Sequence, residues 1–314
     1  MDFSWCNIKN CISLKIQVMD SSTNLKVALI GDGVLDNYFW LDRPAEDVRS
    51  QTENSLRQAY PSRNVEVLNF TVGESTVTCI LQGRYPASFH QRGRKKANME
   101  PYPMDEDGVV RPLNLLRKAK PTHVVLSIGG HDARVRFLQS RDPHVVTQRM
   151  MNDGFVANLR RLVEFIKAEV TSNIILVYVY MPQSKMIPIL SCLPPASMLQ
   201  RLLVNFSKFF IEVANDHCLP VIDLSRTFDP NKTGHYGSTP TEPSNLSGQF
   251  IADLTMKVLQ EFRFGEETSG KIFSGANEEA KVQDLAPDAG FSYARGSGSR
   301  PAASSGNLHG GGLD

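Results

Sequence analysis

The chain has 314 residues, of which 41% are hydrophobic and 21% charged, so it carries enough apolar material for a core, and disorder throughout is excluded. Its 34 basic and 33 acidic residues leave a net charge of +1, without the basic excess typical of nucleic-acid-binding proteins. Five cysteines without a Cys-x-x-Cys pair favour reduced thiols over a disulfide framework or a zinc site. No apolar run approaches the ~20 residues of a membrane-spanning helix, and the first 20 residues lack a secretory signal pattern. These features predict a soluble, cytoplasmic protein without a membrane span.

Short apolar segments rich in β-branched residues alternate with helix-compatible stretches through most of the chain. Strands are predicted at 25–30, 65–70, 122–128, 174–180 and 219–224, and helices at 45–59, 153–170, 198–214 and 246–262. Continuous apolar strands that alternate with helices are typical of a parallel sheet covered on both faces. The pattern therefore predicts one doubly wound α/β domain, flavodoxin-like, with three α/β/α layers and a five-stranded parallel sheet.

Both ends of the chain differ from this central domain, which is predicted to span residues 25–263. Residues 1–24 are interpreted as an N-terminal extension, either a short added strand or a frayed leader. From residue 264 onward the chain holds 10 of its 22 glycines and shows no hydrophobic periodicity. A segment of this composition buries too little apolar surface to offset its ordering entropy, so 264–314 is predicted to be a disordered tail.

Polar loops follow the predicted strands, and ligands of such sheets bind at the carboxyl ends of the strands. The loops are 31–37 (GDGVLDN), 69–76 (NFTVGEST) and 129–132 (GGHD), and 235–245 (HYGSTPTEPSN) precedes the last helix. Their order and setting resemble the four sequence blocks of the SGNH, or GDSL-type, hydrolases, a family of lipases and esterases. The resemblance covers about residues 25–263 and implies acyl-ester hydrolysis without a metal or an organic cofactor.

In that family a serine after the first strand is the nucleophile, a glycine and an asparagine supply oxyanion donors, and a histidine preceded by an aspartate is the base. This sequence departs from the pattern at nearly every chemical position. Gly33 stands at the nucleophile position, His131 at the asparagine, Glu242 at the base and Thr239 at the orienting aspartate. Gly73 is the candidate for the oxyanion glycine of the second block.

The loss of its nucleophile lowers the turnover of a serine hydrolase on the order of a millionfold. The resemblance therefore implies a catalytically impaired member, a pseudoenzyme that retains a pocket for a small-molecule ester or acyl ligand. A backbone N–H at position 33, at a helix N-terminus, would still favour an anion or a carbonyl oxygen. The candidate site residues are Asp32, Gly33, Gly73, Gly130, His131, Asp132, His235 and Glu242.

Two other functions remain open at this stage. An active esterase could use a relocated nucleophile, Ser75 or Thr76, with His131 or His235 as its base. A non-catalytic interaction module could instead present the basic segment 84–96 and the tail, although this segment matches no nucleic-acid-binding module and no nucleic-acid partner is expected. Structural roles are also open for the candidate acids, because aspartates and glutamates beside a helix start commonly cap it. The oligomeric state is not indicated.

Overall fold

The structure is a computed structural model that describes residues 24–38, 41, 43–83, 111–140, 142–152, 154–185, 196–239, 241–275 and 280–285. The predicted N-terminal extension up to residue 23, the basic segment 84–96 and the tail beyond residue 285 lie outside these residues. Among the described helices, none combines the length and the apolar character needed to cross a membrane.

The described residues form one sheet of seven strands in the order β2-β1-β3-β4-β5-β6-β7. The strands are β1 (Leu25–Gly31), β2 (Val65–Thr71), β3 (His123–Ser127), β4 (Ile174–Tyr178), β5 (Pro220–Asp223), β6 (Lys271–Ser274) and β7 (Lys281–Asp284). The first six are parallel, and β7 pairs antiparallel with β6. The order of the first five strands is the flavodoxin-like order, which confirms the predicted fold class.

The predicted count of five strands is wrong, because Lys271–Ser274 and Lys281–Asp284, within the segment predicted to be a disordered tail, form β6 and β7. β6 extends the sheet beside β5, with Val221 opposite Ile272. Ile272 and Phe273 are buried in this arrangement. A four-residue strand among glycines shows no periodicity of its own, and its burial depends on pairing with β5.

Helices cover both faces of the sheet, as the three-layer prediction requires. They are α1 (Val48–Ala59), α2 (Val77–Gln82), α3 (Pro112–Ala119), α4 (Gly130–Ser140), α5 (Pro143–Asn152), α6 (Phe155–Glu169), α7 (Ala196–His217) and α8 (Asn245–Glu261). One hydrophobic core forms between the sheet and the helices α2 to α7, and a second forms between the opposite face and α1 and α8. The apolar faces at helical spacing therefore point to the sheet, with polar residues outside.

The loops after β1 and β3 meet where the strand order reverses, which is the usual ligand crevice of this fold. Gly31 ends β1 with φ +136°, and a Cβ there would lie 1.6 Å from the carbonyl oxygen of Ser127. Only glycine permits this approach. The next residue, Asp32, donates its backbone N–H to that same oxygen at 3.0 Å. The backbone thereby holds the first loop against the end of β3.

Candidate active site

A cavity of about 150 Å³ opens at the carboxyl ends of the strands, between the loops that were singled out in the sequence. Its apolar wall comes from one face of α7: Leu199, Leu202, Leu203 and Phe206. Its polar end is formed by Asp32, Glu74, His131, Arg134, Tyr180 and Glu242. The volume matches that of an engineered protein cavity that binds benzene, so the space suits a small group rather than a long chain.

Asp32 is buried beneath the polar end and is held by two donors. Its Oδ1 accepts hydrogen bonds from the Ser127 hydroxyl at 3.0 Å and from the backbone N–H of Val34 at 3.3 Å. Burial raises the pKa of Asp32 to about 7, although these two hydrogen bonds act in the opposite direction and the Asp132 charge adds to the rise. The Asp32 carboxyl is therefore close to half-ionised at neutral pH.

Glu242 approaches Gly33 directly. A Cβ built on Gly33 would lie 2.9 Å from Oε2 of Glu242, so the carboxyl occupies the space beside the position of a nucleophilic side chain. The Glu242 side chain is half-buried and lines the cavity. Burial raises the pKa of Glu242 to about 8, with repulsion from Asp32 and Asp36 adding to it and the Arg134 guanidinium opposing it. At neutral pH this carboxyl is mainly the uncharged acid.

His131 and Glu74 also reach the cavity. His131 lies in the first turn of α4, and burial lowers its pKa, with the Glu74 charge opposing and the Arg134 charge adding to the decrease. The imidazole is therefore neutral at pH 7. Glu74 has φ +61°, in the left-handed region that non-glycine residues seldom adopt. This turn brings Glu74 to the cavity.

The backbone donors at the oxyanion positions are not equivalent. The N–H of Gly73 donates to Oδ2 of Asp36 at 3.2 Å, and Gly73 does not line the cavity. Gly33 and Gly130 do line it. The N–H of Gly33 has no hydrogen-bond acceptor among the described residues. Gly33 therefore keeps a backbone donor without an acceptor among the described residues, whereas the Gly73 donor is already engaged.

Asp132 lies outside the cavity and has a structural environment. Its side chain is fully buried and accepts the backbone N–H of Val77, at 3.1 Å to one carboxyl oxygen and 3.4 Å to the other. Arg136 lies 3.8 Å from it on the same helix. Burial raises the pKa of Asp132 to about 6, against the lowering by Val77 and Arg136. This carboxylate ties α4 to the N-terminus of α2.

His235 does not line the cavity either. Its Nδ1 accepts the backbone N–H of Asp229 at 2.9 Å, which leaves that nitrogen engaged. The ring packs edge-on against Phe228 and Phe250, with centroids 6.0 and 5.5 Å apart. Burial lowers the pKa of His235. The structure therefore places Glu242, and not His235, beside the first loop.

The hydroxyls of the two alternative nucleophiles, Ser75 and Thr76, both form hydrogen bonds within the second loop and the start of α2. The Ser75 hydroxyl is fully buried and donates to the carbonyl oxygen of Val72. The Thr76 hydroxyl caps α2 by accepting the backbone N–H of Cys79 at 3.1 Å. Neither residue lines the cavity.

Sequence reasoning missed two parts of the site. Tyr180 lines the cavity after β4, and its hydroxyl donates to the carbonyl oxygen of Thr241 at 2.7 Å, which positions the residue before Glu242. Its place at the end of a predicted strand could have identified it. The sequence alone predicts that the α7 residues of the wall belong to the core, because a helix face that lines a cavity is as apolar as one that packs in a core.

Among the described residues, no group of three or more His, Cys, Asp or Glu side chains is arranged to hold a metal ion.

Neither the protein-family models nor the curated proteins give a match to this chain. Solved structures do resemble it, at low sequence identity. A lipase/acylhydrolase from Enterococcus faecalis is 19% identical, with 77% of this chain and 98% of that chain covered and a TM-score of 0.47. A psychrotrophic esterase from Pseudoalteromonas sp. is 14% identical, with 76% and 98% covered and a TM-score of 0.47.

A protein assigned as a GDSL-like lipase, from Parabacteroides merdae, is 12% identical, with 76% of this chain and 97% of that chain covered and a TM-score of 0.51. The overlap therefore includes nearly all of that lipase-like chain. It agrees with the flavodoxin-like strand order and with the site at the switch point of the sheet. The chain has the fold of the SGNH hydrolases.

Proposed function

We propose that this SGNH-fold protein binds a small ester or acyl compound in the cavity and hydrolyses it slowly or not at all. The observation that carries the proposal is the pair Gly33 and Glu242. Residue 33 has no hydroxyl, and the carboxyl of Glu242 lies 2.9 Å from the position of a Cβ on it. Without a nucleophile, a serine hydrolase keeps only the contribution of binding and of the oxyanion donors, about a millionfold below its normal turnover.

The remaining groups replace the missing chemistry only in part, because His131 brings a neutral imidazole to the cavity but the hydroxyls of Ser75 and Thr76 do not line it. A general base needs a free, deprotonated atom, and a carboxyl with a pKa of about 8 holds its proton at pH 7. The Gly73 N–H, which would be an oxyanion donor, is bonded to Asp36. The site therefore favours binding over turnover.

The shape and chemistry of the cavity support a small acyl ligand. The face of α7 offers aliphatic and aromatic surface for a short alkyl group, while the opposite end offers the Gly33 N–H and the acid of Glu242. Apolar walls with a few convergent polar groups are typical of small-molecule sites. At about 150 Å³, an acyl group of a few carbon atoms fits better than a fatty-acyl chain.

An active esterase with a relocated nucleophile has less support. Ser75 is buried against Val72, and the Thr76 hydroxyl is used to cap a helix. His235 is bonded through Nδ1 and packed between aromatic rings. None of these groups reaches the cavity. The interaction-module alternative depends on segments outside the described residues, and no contact of the described residues favours it.

The test combines activity and binding. The purified protein is incubated with p-nitrophenyl acetate and with a fluorophosphonate probe, and binding of methyl butyrate is followed by saturation-transfer NMR. We expect no hydrolysis above the buffer rate, no covalent labelling, and transfer to the butyryl protons. Labelling of any serine, or turnover on the order of 1 per second that survives further purification, would contradict the proposal.

A pair of tryptophan variants locates the binding. Leu202→Trp places an indole in the cavity and should abolish the saturation transfer. Leu246→Trp is the matched control, since Leu246 is 47% exposed on α8, on the other side of the sheet. It should leave the transfer unchanged. Circular dichroism of both variants separates a filled cavity from an unfolded chain.

A further inference from the structure

The half-buried Glu242 side chain differs from the buried aspartates near the cavity, because its carboxyl has no hydrogen-bond donor among the described residues. Asp32, Asp36 and Asp132 each accept a hydrogen bond from a backbone N–H or a hydroxyl. The Glu242 carboxyl has no hydrogen bond and no ion pair with a described residue, although it lines the cavity beside Gly33. Because the side chain is half-buried, water is its present partner, and a ligand that enters the cavity can replace that water.

The charges around Glu242 are mainly of its own sign. The titratable groups that face it are Asp32 and Asp36 from the first loop, Glu74 from the second, His131 and Arg134 from α4, and Tyr180 after β4. Only the Arg134 guanidinium favours an ionised Glu242. Three carboxyl groups oppose it, in a pocket with an apolar wall. At neutral pH the free side chain is consequently a hydrogen-bond donor, unlike an ordinary glutamate.

We propose that the neutral carboxyl of Glu242 donates a hydrogen bond to the carbonyl oxygen of an uncharged ester in the cavity, and so selects esters over the corresponding free carboxylates. This inference rests on the proposed function and adds the specificity-determining residue. Gly33 lines the cavity next to Glu242, and its N–H, which has no acceptor among the described residues, is the candidate for a second donor. An ester carbonyl accepts both hydrogen bonds without adding charge.

A carboxylate meets a different environment in the same cavity. It would bring another negative charge beside Asp32 and Glu74, where Arg134 is the one full cation among the described lining residues. Like charges at close range disfavour such binding. The pocket therefore binds an ester more tightly than the carboxylate that hydrolysis of this ester would yield.

The experiment measures dissociation constants of methyl butyrate and butyrate at pH 6 and pH 9 by ligand-observed NMR. The neutral fraction of a carboxyl with a pKa of about 8 falls from about 99% at pH 6 to about 10% at pH 9. We expect the wild-type affinity for the ester to fall about tenfold over this range. Butyrate should bind at least tenfold more weakly than the ester at pH 7.

Two substitutions separate the donor from its titration. Glu242→Gln keeps an N–H donor at nearly the same place without a titrating proton, so its ester affinity should be equal at pH 6 and pH 9. Glu242→Met keeps the volume and removes the donor, so its affinity should be low at both pH values. Glu164→Gln, at an exposed position on α6, is the matched control and should keep the wild-type decrease.

The outcomes distinguish this inference from the proposed function. Ester binding to the wild type that does not change with pH, or a Glu242→Gln variant that keeps the wild-type decrease, would overturn the role of Glu242 and leave the ester-binding function standing. Equal affinity for butyrate and methyl butyrate would also overturn it. Failure of the wild type to bind any ester at pH 6 would overturn both.

Discussion

Glu242→Gln should stabilise the folded protein at alkaline pH and have little effect in mild acid. In the unfolded chain this carboxyl ionises with a pKa of 4.5, and in the folded protein the pKa is about 8. The acid form is favoured by the fold, so its contribution to stability is complete below pH 4.5 and is lost as the pH rises through 8. The neutral amide of glutamine avoids this loss.

The magnitude follows from the same two pKa values. A difference between 4.5 and about 8 corresponds to about 5 kcal/mol at pH 9, at about 1.36 kcal/mol for each pH unit. The side chain is partly exposed, so water screens part of the unfavourable field, and we expect about 2 kcal/mol. For a domain of this size, that raises the Tm by roughly 4–8 °C.

The assay is thermal unfolding followed by circular dichroism at pH 5, 7 and 9. The difference in Tm between the variant and the wild type should be near zero at pH 5 and largest at pH 9. Glu164→Gln on α6 serves again as the control and should leave the pH profile of the Tm unchanged. A Tm difference that is the same at all three pH values would refute the reasoning, because the substitution would then act through packing alone.

Three further substitutions address the site and its support. Gly33→Ser by itself should not create an esterase, since its Cβ would lie 2.9 Å from Oε2 of Glu242 and a protonated carboxyl, not a free base, stands next to it; p-nitrophenyl acetate turnover and fluorophosphonate labelling both check this. Asp132→Ala should lower the free energy of unfolding by about 2 kcal/mol in urea titration, because it leaves the buried N–H of Val77 without an acceptor. Leu202→Ala should cost about 3 kcal/mol in the same titration and admit esters with longer acyl groups in the NMR assay.

Each of these expectations has its own contrary result. Labelling of the new serine in Gly33→Ser would show that some group in the cavity acts as its base, although residue 242 is not a histidine. Asp132→Asn retains an acceptor oxygen, so a loss of stability as large as that of the alanine variant would argue against the hydrogen bond to Val77. A Leu202→Ala variant that binds only the shortest esters would place the acyl group away from α7.

Several features of the fold were predictable because they depend on local patterns. Apolar strands that alternate with amphipathic helices indicated the doubly wound domain. Because the carboxyl ends of parallel strands lie at the same edge of a sheet, the loops after β1 and β3 were expected to lie together. β6 and β7 were not predictable in this way. Each is four residues long, and Phe273 becomes core only because β5 lies beside it.

The roles of the candidate acids needed three-dimensional contacts. Asp132 and Glu242 both stand in loops that the sequence singles out, yet one is used to hold a helix start and the other faces the cavity. Packing likewise decided which of His235 and Glu242 lies at the cavity. The His235 ring inserts between aromatic side chains, while Tyr180 holds the backbone next to Glu242 at the cavity.

The amino-acid sequence alone determined the doubly wound class of the fold, the position of the crevice, and the absence of a hydroxyl at residue 33, since these depend on residue type and on neighbours along the chain. Only the tertiary structure decided what stands in the place of that hydroxyl. The approach of Glu242 to Gly33 joins the two ends of the domain, and the raised pKa of that carboxyl comes from burial and from acids on other loops. Distance and dielectric environment are properties of the packed molecule, and no pattern along the chain specifies them.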